Sequence, residues 1–377
     1  MKPSFLALSL LVLTVFAQES KQHFTINVGT PEGQALQAIG QEPDDDKKLT
    51  LAQDFLDKYP KHEGAGWVTG QLQAIYVKKK EYDKAIEAGE KALANNPNDL
   101  DVAYMGLKAA EGKEDPALVK TWSLRSHELA QKAIVSTKAP ADDDEKQQLE
   151  YIKGVSAYSE YAVYALATKV KDPKQVAELG ATLEQENVKS QYMPQLSGMY
   201  LTALTQSGQS GKVCAAAEKL ATANGKDLDA AVNAANCGLQ SKRYDRAIAH
   251  ATRLVEGVSS APKPEGMSDG DWASKKAMLA GRGNWIAGMA YAAQNKLGPA
   301  EKALRAALPS VKGEPQMAAP ALFQLGLANY QLGKALGDKS KIRDGLQFFQ
   351  QCAEIPGQYQ DQASKNVRVI KGELGVR

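Results

Sequence analysis

A nine-residue motif that occurs twice constrains the fold of this chain more than any other sequence feature. Residues 78–86 read KKKEYDKAI and residues 240–248 read QSKRYDRAI, so the two copies share a Tyr-Asp-basic-Ala-Ile core. Each copy joins two segments whose apolar residues recur at helical spacing. One helical hairpin cannot bury its own apolar face, and neighbouring hairpins must stack against it. The motif therefore predicts an all-α chain built from repeated helix pairs.

The first copy lies in the middle of a predicted hairpin over residues 66–98. The first helix carries its apolar residues at Val68, Leu72, Ile75 and Tyr76, and the second carries them at Tyr82, Ala85, Ile86, Ala92 and Leu93. Pro97 ends the second helix because proline lacks the N–H group that another turn would need.

This hairpin resembles the tetratricopeptide repeat (TPR), a helix-turn-helix unit of about 34 residues with the pattern W-x2-L-G-x2-Y, then A-x3-F, then P. The matching residues are Leu72, Tyr76, Ala85 and Pro97, with Ala92 at the small site of the second helix. Three positions depart from the pattern, namely Thr69, Gln73 and Gly89. The resemblance implies an all-α fold, an α-α superhelix of TPR-like repeats.

Helix pairs of this kind fill residues 33–377, which we interpret as one TPR-like repeat domain of about eight hairpins and a C-terminal capping helix at 358–371. The pairs that begin near Gly66, Leu228, Gly281 and Pro320 match the TPR pattern best. A long helix over 142–168 carries Tyr151, Tyr158 and Tyr161 on one side. A helix is also predicted over 190–206, a Pro-rich loop over 257–269, and a lengthened turn over 336–340.

The N-terminus differs in kind from the rest of the chain. Lys2 is followed by a largely apolar run from Phe5 to Phe16, and Val15 and Ala17 flank a plausible cleavage site. We interpret residues 1–17 as a secretory signal peptide and residues 18–32 as a linker or extended arm. The run is shorter than the roughly 20 residues that a spanning helix needs. A periplasmic or secreted protein with no stable membrane insertion after cleavage is expected, and an uncleaved anchor is the alternative.

The cysteine positions suit an oxidising compartment. Cys214 lies early in one predicted helix and Cys237 lies late in the next, at equal distances from the turn at residues 224–226. Equidistant residues of an antiparallel pair face each other, so we predict a Cys214–Cys237 disulfide. Two buried free thiols are the alternative. Cys352 has no evident partner and is predicted to lie in the core.

The sequence lacks the residues that several classes of function require. Lys and Arg total 46 against 44 Asp and Glu, which argues against a nucleic-acid surface. The four histidines have no metal-ligand spacing and are interpreted as isolated surface residues, and the acidic runs at 44–46 and 142–145 as helix caps. The glycines at 281 and 283 are interpreted as small residues for close helix packing. No catalytic, cofactor-binding or metal-binding residue is assigned, and a non-enzymatic protein is expected.

The TPR resemblance implies that first helices line a concave groove that holds a partner peptide or helix. Carried over position by position, it assigns Trp67 and Lys78 to the groove in the opening repeat. Later in the chain it assigns Asn236, Gln240, Arg282, Trp285, Met289, Phe323, Tyr330 and Gln331. The same aromatic residues at helical spacing also suit packing between repeats, and both interpretations stay open. The expected function is partner binding as a scaffold or adaptor. The alternative is a small-molecule or glycan binder that uses Trp285, Phe323 and Tyr330 as a stacking platform.

Overall fold

The computed structural model describes residues 26–137, 140, 142–263 and 266–376, and these contain seventeen α-helices and no β-strand. The first seven helices are α1 (Pro31–Gln41), α2 (Asp45–Lys58), α3 (Ala65–Lys78), α4 (Tyr82–Asn95), α5 (Leu100–Gly112), α6 (Pro116–Ser136) and α7 (Asp143–Lys169). The next five are α8 (Pro173–Asn187), α9 (Met193–Gln206), α10 (Ser210–Ala223), α11 (Leu228–Gln240) and α12 (Tyr244–Ser260). The last five are α13 (Asp269–Ala293), α14 (Leu297–Val311), α15 (Pro315–Leu336), α16 (Lys339–Ala353) and α17 (Gln360–Leu374). The predicted all-α fold of TPR-like hairpins is confirmed.

The chain divides into two compact units, Met1–Ala162 and Val163–Arg377, and the boundary falls within α7. In the first unit each helix from α1 to α6 packs on the next, and α3 also packs on α5. Its main core cluster includes Leu36, Ile39, Phe55, Val68 and Leu72, all buried. Hairpins of this unit therefore stack as repeats, because a helix contacts both its own partner and the first helix of the next pair.

Trp122 of α6 explains a departure from the TPR pattern in the opening hairpin. Its indole is fully buried and lies against Gly89 and Gly106, where an added Cβ would come within 2.9 Å and 2.0 Å of the ring. The large aromatic expected at position 89 is thus supplied by the following repeat. The space that glycine leaves is filled by a ring from a different helix.

The second unit repeats the same packing with a longer run of hairpins. Helices α8 to α17 pack successively, and first helices also meet, as α9 with α11, α11 with α13 and α13 with α15. The last core cluster contains Leu325, Phe349 and Cys352, and α17 adds Ala363 and Ile370 to it. Helix α17 therefore covers the apolar face of α16, as predicted for a capping helix.

Six hairpin turns share one backbone closure. A residue with positive φ stands two positions before the second helix of each hairpin: Lys80, Glu114, Gly208, Lys242, Asn295 and Gly337, with φ between 51° and 77°. The N–H of the following residue donates to the carbonyl oxygen five residues earlier in every case, at 2.8–3.4 Å. This is the closure of a Schellman motif, which satisfies a carbonyl at the end of the first helix. The turn at 336–340 was predicted to be longer, but Gly337 and Asp338 close it like the others.

Predicted helix caps are confirmed at both acidic runs. Asp44 Oδ1 accepts from the N–H groups of Asp46 and Lys47, both at 3.0 Å, and Asp142 Oδ1 accepts from Glu145 N at 2.8 Å. The carboxylates thus pair with backbone donors that a helix start leaves free. The hydrogen bond from Lys47 N lowers the pKa of Asp44.

The predicted disulfide joins α10 to α11. Cys214 and Cys237 are bonded, with their Cα atoms 5.5 Å apart. Cys352 is fully buried, and burial raises the pKa of its thiol to about 11. The interpretation of Cys352 as a core residue is therefore confirmed.

The predicted surface positions of His127 and His250 are wrong. His127 is buried between α6 and α7, with Nδ1 3.4 Å from the hydroxyl oxygens of Ser156 and Ser159. His250 is buried with Nε2 3.1 Å from Oε2 of Glu218. Both imidazoles find polar partners across a helix contact, which a search for metal-ligand spacing does not detect.

Three predicted boundaries also change. Helix α12 continues to Ser260 because Val258 is buried beside Leu254 and Leu279, so the loop before α13 starts at Ala261. Helix α1 begins at Pro31 inside the predicted linker, and α9 begins at Met193. The predicted signal peptide and residues 18–25 of the linker lie outside the described residues. Among the helices described, none combines the length and hydropathy needed to cross a bilayer.

Candidate functional site

The first helices of the second unit carry all the residues assigned to the later groove. We call Asn236, Gln240, Arg282, Trp285, Met289, Phe323, Tyr330 and Gln331 the C-terminal face. Helix α11 contributes two of these residues, α13 three and α15 three, and each helix packs on its neighbour in this series. Residues three, four or seven positions apart lie on one side of a helix. This spacing occurs at 236/240 on α11, at 282/285/289 on α13 and at 323/330 on α15.

Four polar residues of the C-terminal face are exposed and are unpaired among the residues that the structure describes. Asn236, Gln240, Arg282 and Gln331 make no side-chain hydrogen bond or ion pair within the part of the chain that the structure describes. Their amide and guanidinium groups offer donors, and the three amides also offer acceptors. These four side chains are therefore free to bind a ligand without breaking an internal contact.

The aromatic residues of the C-terminal face are half-buried and engaged in packing. Trp285 packs against the core clusters on both sides of α13, and its Nε1 donates to the carbonyl oxygen of Met317 at 2.9 Å. The Phe323 ring lies 5.5 Å from that of Phe349 and 5.1 Å from that of Tyr359. The Trp285 and Phe323 rings thus join repeats, with part of their surface left exposed.

Tyr330 connects α15 to the capping helix. Its hydroxyl donates to Oε1 of Glu373 at 2.8 Å, and this hydrogen bond raises the pKa of the phenol. In the opening repeat, Lys78 forms an ion pair with Asp45, and Trp67 packs against the core of the first unit. The assigned groove residues outside the free polar set therefore already have structural partners.

A second cluster, which sequence reasoning missed, lies in the first unit between α5 and α7. We call Asp101, Tyr104, Lys108, Glu111, Tyr151 and Tyr158 the tyrosine cluster. The α5 members recur at intervals of three and four residues, so they share one face of that helix. The α7 members are seven residues apart and face them. All six side chains are half-buried.

Two phenol–carboxylate hydrogen bonds connect the helices of the tyrosine cluster. Tyr151 donates to Oδ1 of Asp101 at 2.6 Å, and Tyr158 donates to Oε2 of Glu111 at 2.5 Å. Burial is the main cause that raises the pKa of both phenols, and it also raises the pKa of Asp101. Hydrogen bonds between such groups fix the orientation of the rings.

The Lys108 ammonium lies inside this arrangement. Its Nζ is 3.5 Å from the centroid of the Tyr158 ring, 5.5 Å from that of Tyr104 and 3.8 Å from Oε2 of Glu111. The two rings meet edge to face with centroids 5.6 Å apart. Burial lowers the pKa of Lys108, and burial with the nearby Glu111 raises that of Tyr104 to about 12. The cluster is thus a partly desolvated cation site made of two rings and a carboxylate.

A signal for the tyrosine cluster is present in the sequence. The tyrosines of the long helix were predicted to lie on one side, and α5 carries polar and aromatic residues at regular helical spacing. Helical spacing does not show which of these side chains contact each other, because the hydrogen-bonded pairs are 47 and 50 residues apart in the sequence.

A shallow cleft between α16 and α17 is the third candidate. It has a volume of about 640 Å³ and is lined by Gln347, Gln350, Gln351, Ala353, Glu354, Ser364, Val367 and Arg368. Three uncharged amides from α16, Gln347, Gln350 and Gln351, form one helical stripe, and the Glu354 carboxylate follows at the C-cap of that helix. Within the described ranges, no group of three or more His, Cys, Asp or Glu side chains is arranged to hold a metal ion.

Comparisons with known proteins give likenesses to solved structures only. The TPR domain of P58(IPK) is 9% identical, with a TM-score of 0.25, and the match covers 92% of this chain and 99% of that one. Yeast Tom70 is 11% identical, with a TM-score of 0.24, and the match covers 92% of this chain and 96% of that one. No protein-family model and no curated protein matches the chain. The repeats of this chain are stacked helical hairpins. Their helix pairs, shared turns and contacts between first helices are those of a helical-repeat protein.

Proposed function

We propose that this chain is a non-enzymatic, exported TPR-like protein that binds a partner protein or peptide on its C-terminal face. One observation carries the proposal: Asn236, Gln240, Arg282 and Gln331 are exposed and unpaired among the described residues, on three helices that pack side by side. In the free protein these side chains can hydrogen-bond with water, and they offer the donors and acceptors that a bound peptide backbone needs.

The half-buried rings support this proposal in a second way. Trp285 is held by its hydrogen bond to Met317 and by the cores on both sides, so little side-chain freedom remains to be lost on binding. Arginine beside a preorganised aromatic ring is a frequent anchor of protein interfaces. The region around Arg282 is therefore the expected centre of the contact.

Export is part of the same proposal. It rests on the predicted signal peptide of residues 1–17 and is compatible with the disulfide, which is rare in reducing compartments. Mass spectrometry of protein recovered from the envelope or medium checks it, with an N-terminus near Gln18 as the expected result. A cytoplasmic protein with reduced Cys214 and Cys237 would contradict the localisation.

The test of partner binding is an affinity capture from envelope extract with matched variants. Asn236→Ala/Gln240→Ala/Arg282→Ala removes polar groups of the C-terminal face and leaves the packed rings in place. Arg253→Ala/Lys302→Ala, on the exposed sides of α12 and α14, is the control. We expect the first variant to lose a partner that wild type and control both retain. Equal capture by all three proteins would reject this face.

A second candidate function, glycan binding, is favoured by the cleft between α16 and α17. Amide side chains such as Gln347, Gln350 and Gln351 can donate to one hydroxyl of a sugar and accept from the next. The cleft suits this role better than Trp285, Phe323 and Tyr330, whose rings contact other repeats. Thermal shift against a panel of neutral oligosaccharides separates the two functions, because a ligand of the native state raises the unfolding midpoint. Gln347→Ala/Gln351→Ala should abolish any shift caused by a sugar in this cleft.

A further inference from the structure

The tyrosine cluster already holds a cation, and that cation belongs to the protein itself. Lys108 lies over the Tyr158 ring, within reach of the Tyr104 ring and the Glu111 carboxylate. Two aromatic faces and an anion around one ammonium are the parts from which cation-binding cages are built. The geometry therefore defines what chemistry this site accepts.

The rings of the cage are fixed independently of Lys108. Tyr158 is held by its hydrogen bond to Glu111, and Tyr104 by its edge-to-face contact with Tyr158. Tyr151 and Asp101 form a second connection between α5 and α7. Removing the lysine would consequently leave a preorganised site rather than a collapsed one.

The balance of charge also favours a positively charged ligand. The cluster contains two carboxylates, Asp101 and Glu111, against the single ammonium of Lys108. Next to it, the ring of Tyr161 lies 5.9 Å from that of Tyr158 and is 42% exposed, which extends the aromatic surface towards solvent. A guanidinium group suits such a surface, because it is planar, permanently charged and weakly hydrated.

We propose that the tyrosine cluster is a cation cage that binds an arginine side chain of a partner protein, and that Lys108 is an internal occupant which this arginine displaces. The inference deepens the proposed function, because the arginine is carried by a bound protein. It assigns the first unit a binding site of its own, with Tyr104, Tyr158 and Glu111 as the contacting groups.

The test uses N-acetyl-hexaarginine amide as the probe and calorimetric titration of the full mature chain. Lys108→Met keeps the length of the side chain, removes its charge and empties the cage of its cation. Lys153→Met, on the exposed side of α7, changes the net charge by the same amount away from the rings. We expect Lys108→Met to bind the probe about tenfold more tightly than wild type, and Lys153→Met to change affinity less than about twofold.

A second pair of variants shows whether the rings are responsible. Added to Lys108→Met, Tyr158→Leu should remove the gain, whereas Tyr158→Phe should keep it because the ring remains. If Tyr158→Leu does not fold, Tyr104→Leu serves the same purpose. Equal tightening by Lys108→Met and Lys153→Met would overturn the cage, since it would reduce the effect to net charge. N-acetyl-hexalysine amide should bind the Lys108→Met protein more weakly than the arginine probe.

The two proposals can fail separately. Loss of probe selectivity with intact capture from envelope extract would overturn the cage and leave partner binding on the C-terminal face standing. If the cage is selective for arginine but the C-terminal face variant captures partners as wild type does, the cage stands and partner binding on the C-terminal face is rejected.

Discussion

Asp227 illustrates how a single cap residue can make stability depend on pH. It is the N-cap of α11, where its Oδ1 accepts from Ala230 N at 2.9 Å and from the hydroxyl of Ser197 at 2.8 Å. Oδ2 is buried without a hydrogen-bond partner in the described part of the chain. Burial is the largest cause that raises the pKa of Asp227 to about 6. The folded state therefore binds this proton more tightly than the unfolded chain does.

We predict that Asp227 lowers the free energy of unfolding as pH rises from about 4 to above 6. Because the folded pKa exceeds the unfolded one, the native state binds more protons in this window, and stability is lost as pH passes through the folded pKa. The loss is at most about 3 kcal/mol, at 1.36 kcal/mol for each unit of pKa difference. Asp227→Asn keeps a capping oxygen and should remove this dependence in urea unfolding measured at pH 4.5 and 7.5.

Asp115→Asn is the control for this experiment. Asp115 caps α6 through the N–H groups of Ala117 and Leu118 and is partly exposed. Both substitutions replace a capping carboxylate by an amide, so a change in pH dependence seen only with Asp227→Asn comes from burial of that carboxyl and not from loss of a charged cap. If the Asp227→Asn protein kept the wild-type pH dependence of unfolding, burial of the Asp227 carboxyl would not be the cause of that dependence.

Gly106 gives a second prediction at the scale of one residue. A methyl group there would come within 2.0 Å of the fully buried Trp122 ring. Gly106→Ala should therefore destabilise the protein by about 1–3 kcal/mol, the usual range for overpacking. Gly154 is an exposed residue of α7 whose added Cβ would meet no atom within 4 Å. Gly154→Ala should stabilise the protein by up to about 1 kcal/mol through helix propensity. Equal effects of the two substitutions on the free energy of unfolding, measured with denaturant, would contradict this prediction.

At the scale of helices, the sequence predicted what depends on local pattern. The repeat of Tyr82-to-Ile86 at Tyr244-to-Ile248 identified the hairpins, and symmetric placement about a turn identified the disulfide. The missed features depend on contacts across long separations. Helix α12 extends past its predicted end because Val258 meets Leu279 of the next helix. His250 is buried in contact with Glu218 of α10, two helices earlier in the chain.

The candidate sites also differ in whether local sequence pattern or long-range contact determines them. The TPR resemblance named the residues of the C-terminal face, and the structure shows which of them are unpaired and which are packed. The tyrosine cluster could not be derived, because its pairing of α5 with α7 depends on the register between two helices. Spacing along one helix selects a face, but only packing selects the side chains that face it.

The shared hairpin turn yields a prediction at this scale. Lys242 has φ of 59°, a conformation that costs an ordinary residue roughly 1–2 kcal/mol and a β-branched residue more. Lys242→Gly should leave stability unchanged or raise it slightly, since glycine removes this cost but gains freedom in the unfolded chain. Lys242→Val should destabilise by at least about 1 kcal/mol. Equal stabilities of the Gly and Val proteins in urea would show that the turn does not require the left-handed conformation.

At the scale of the whole molecule, the disulfide lies wholly in the second of the two units. We predict that reduction of Cys214–Cys237 lowers the unfolding temperature of the second unit, because a crosslink across 23 residues restricts the unfolded chain by roughly 3 kcal/mol. Differential scanning calorimetry with and without reductant should show a transition that shifts and another that does not.

Gly106→Ala provides the complementary perturbation, since it acts in the first unit. It should shift the transition that reduction leaves unchanged. A single transition that moves in both experiments would mean that the two units unfold as one cooperative structure.

The common turn also bears on how a chain of this kind changes length. Six hairpins are closed by the same backbone hydrogen bond, although the left-handed position is occupied by Lys, Glu, Gly, Lys, Asn and Gly. The two helices of each hairpin are thus connected through one backbone conformation, which does not require a particular side chain. A hairpin can accordingly be duplicated, deleted or transplanted as a module, with the joints placed in the loops between hairpins, while the turn inside it travels intact.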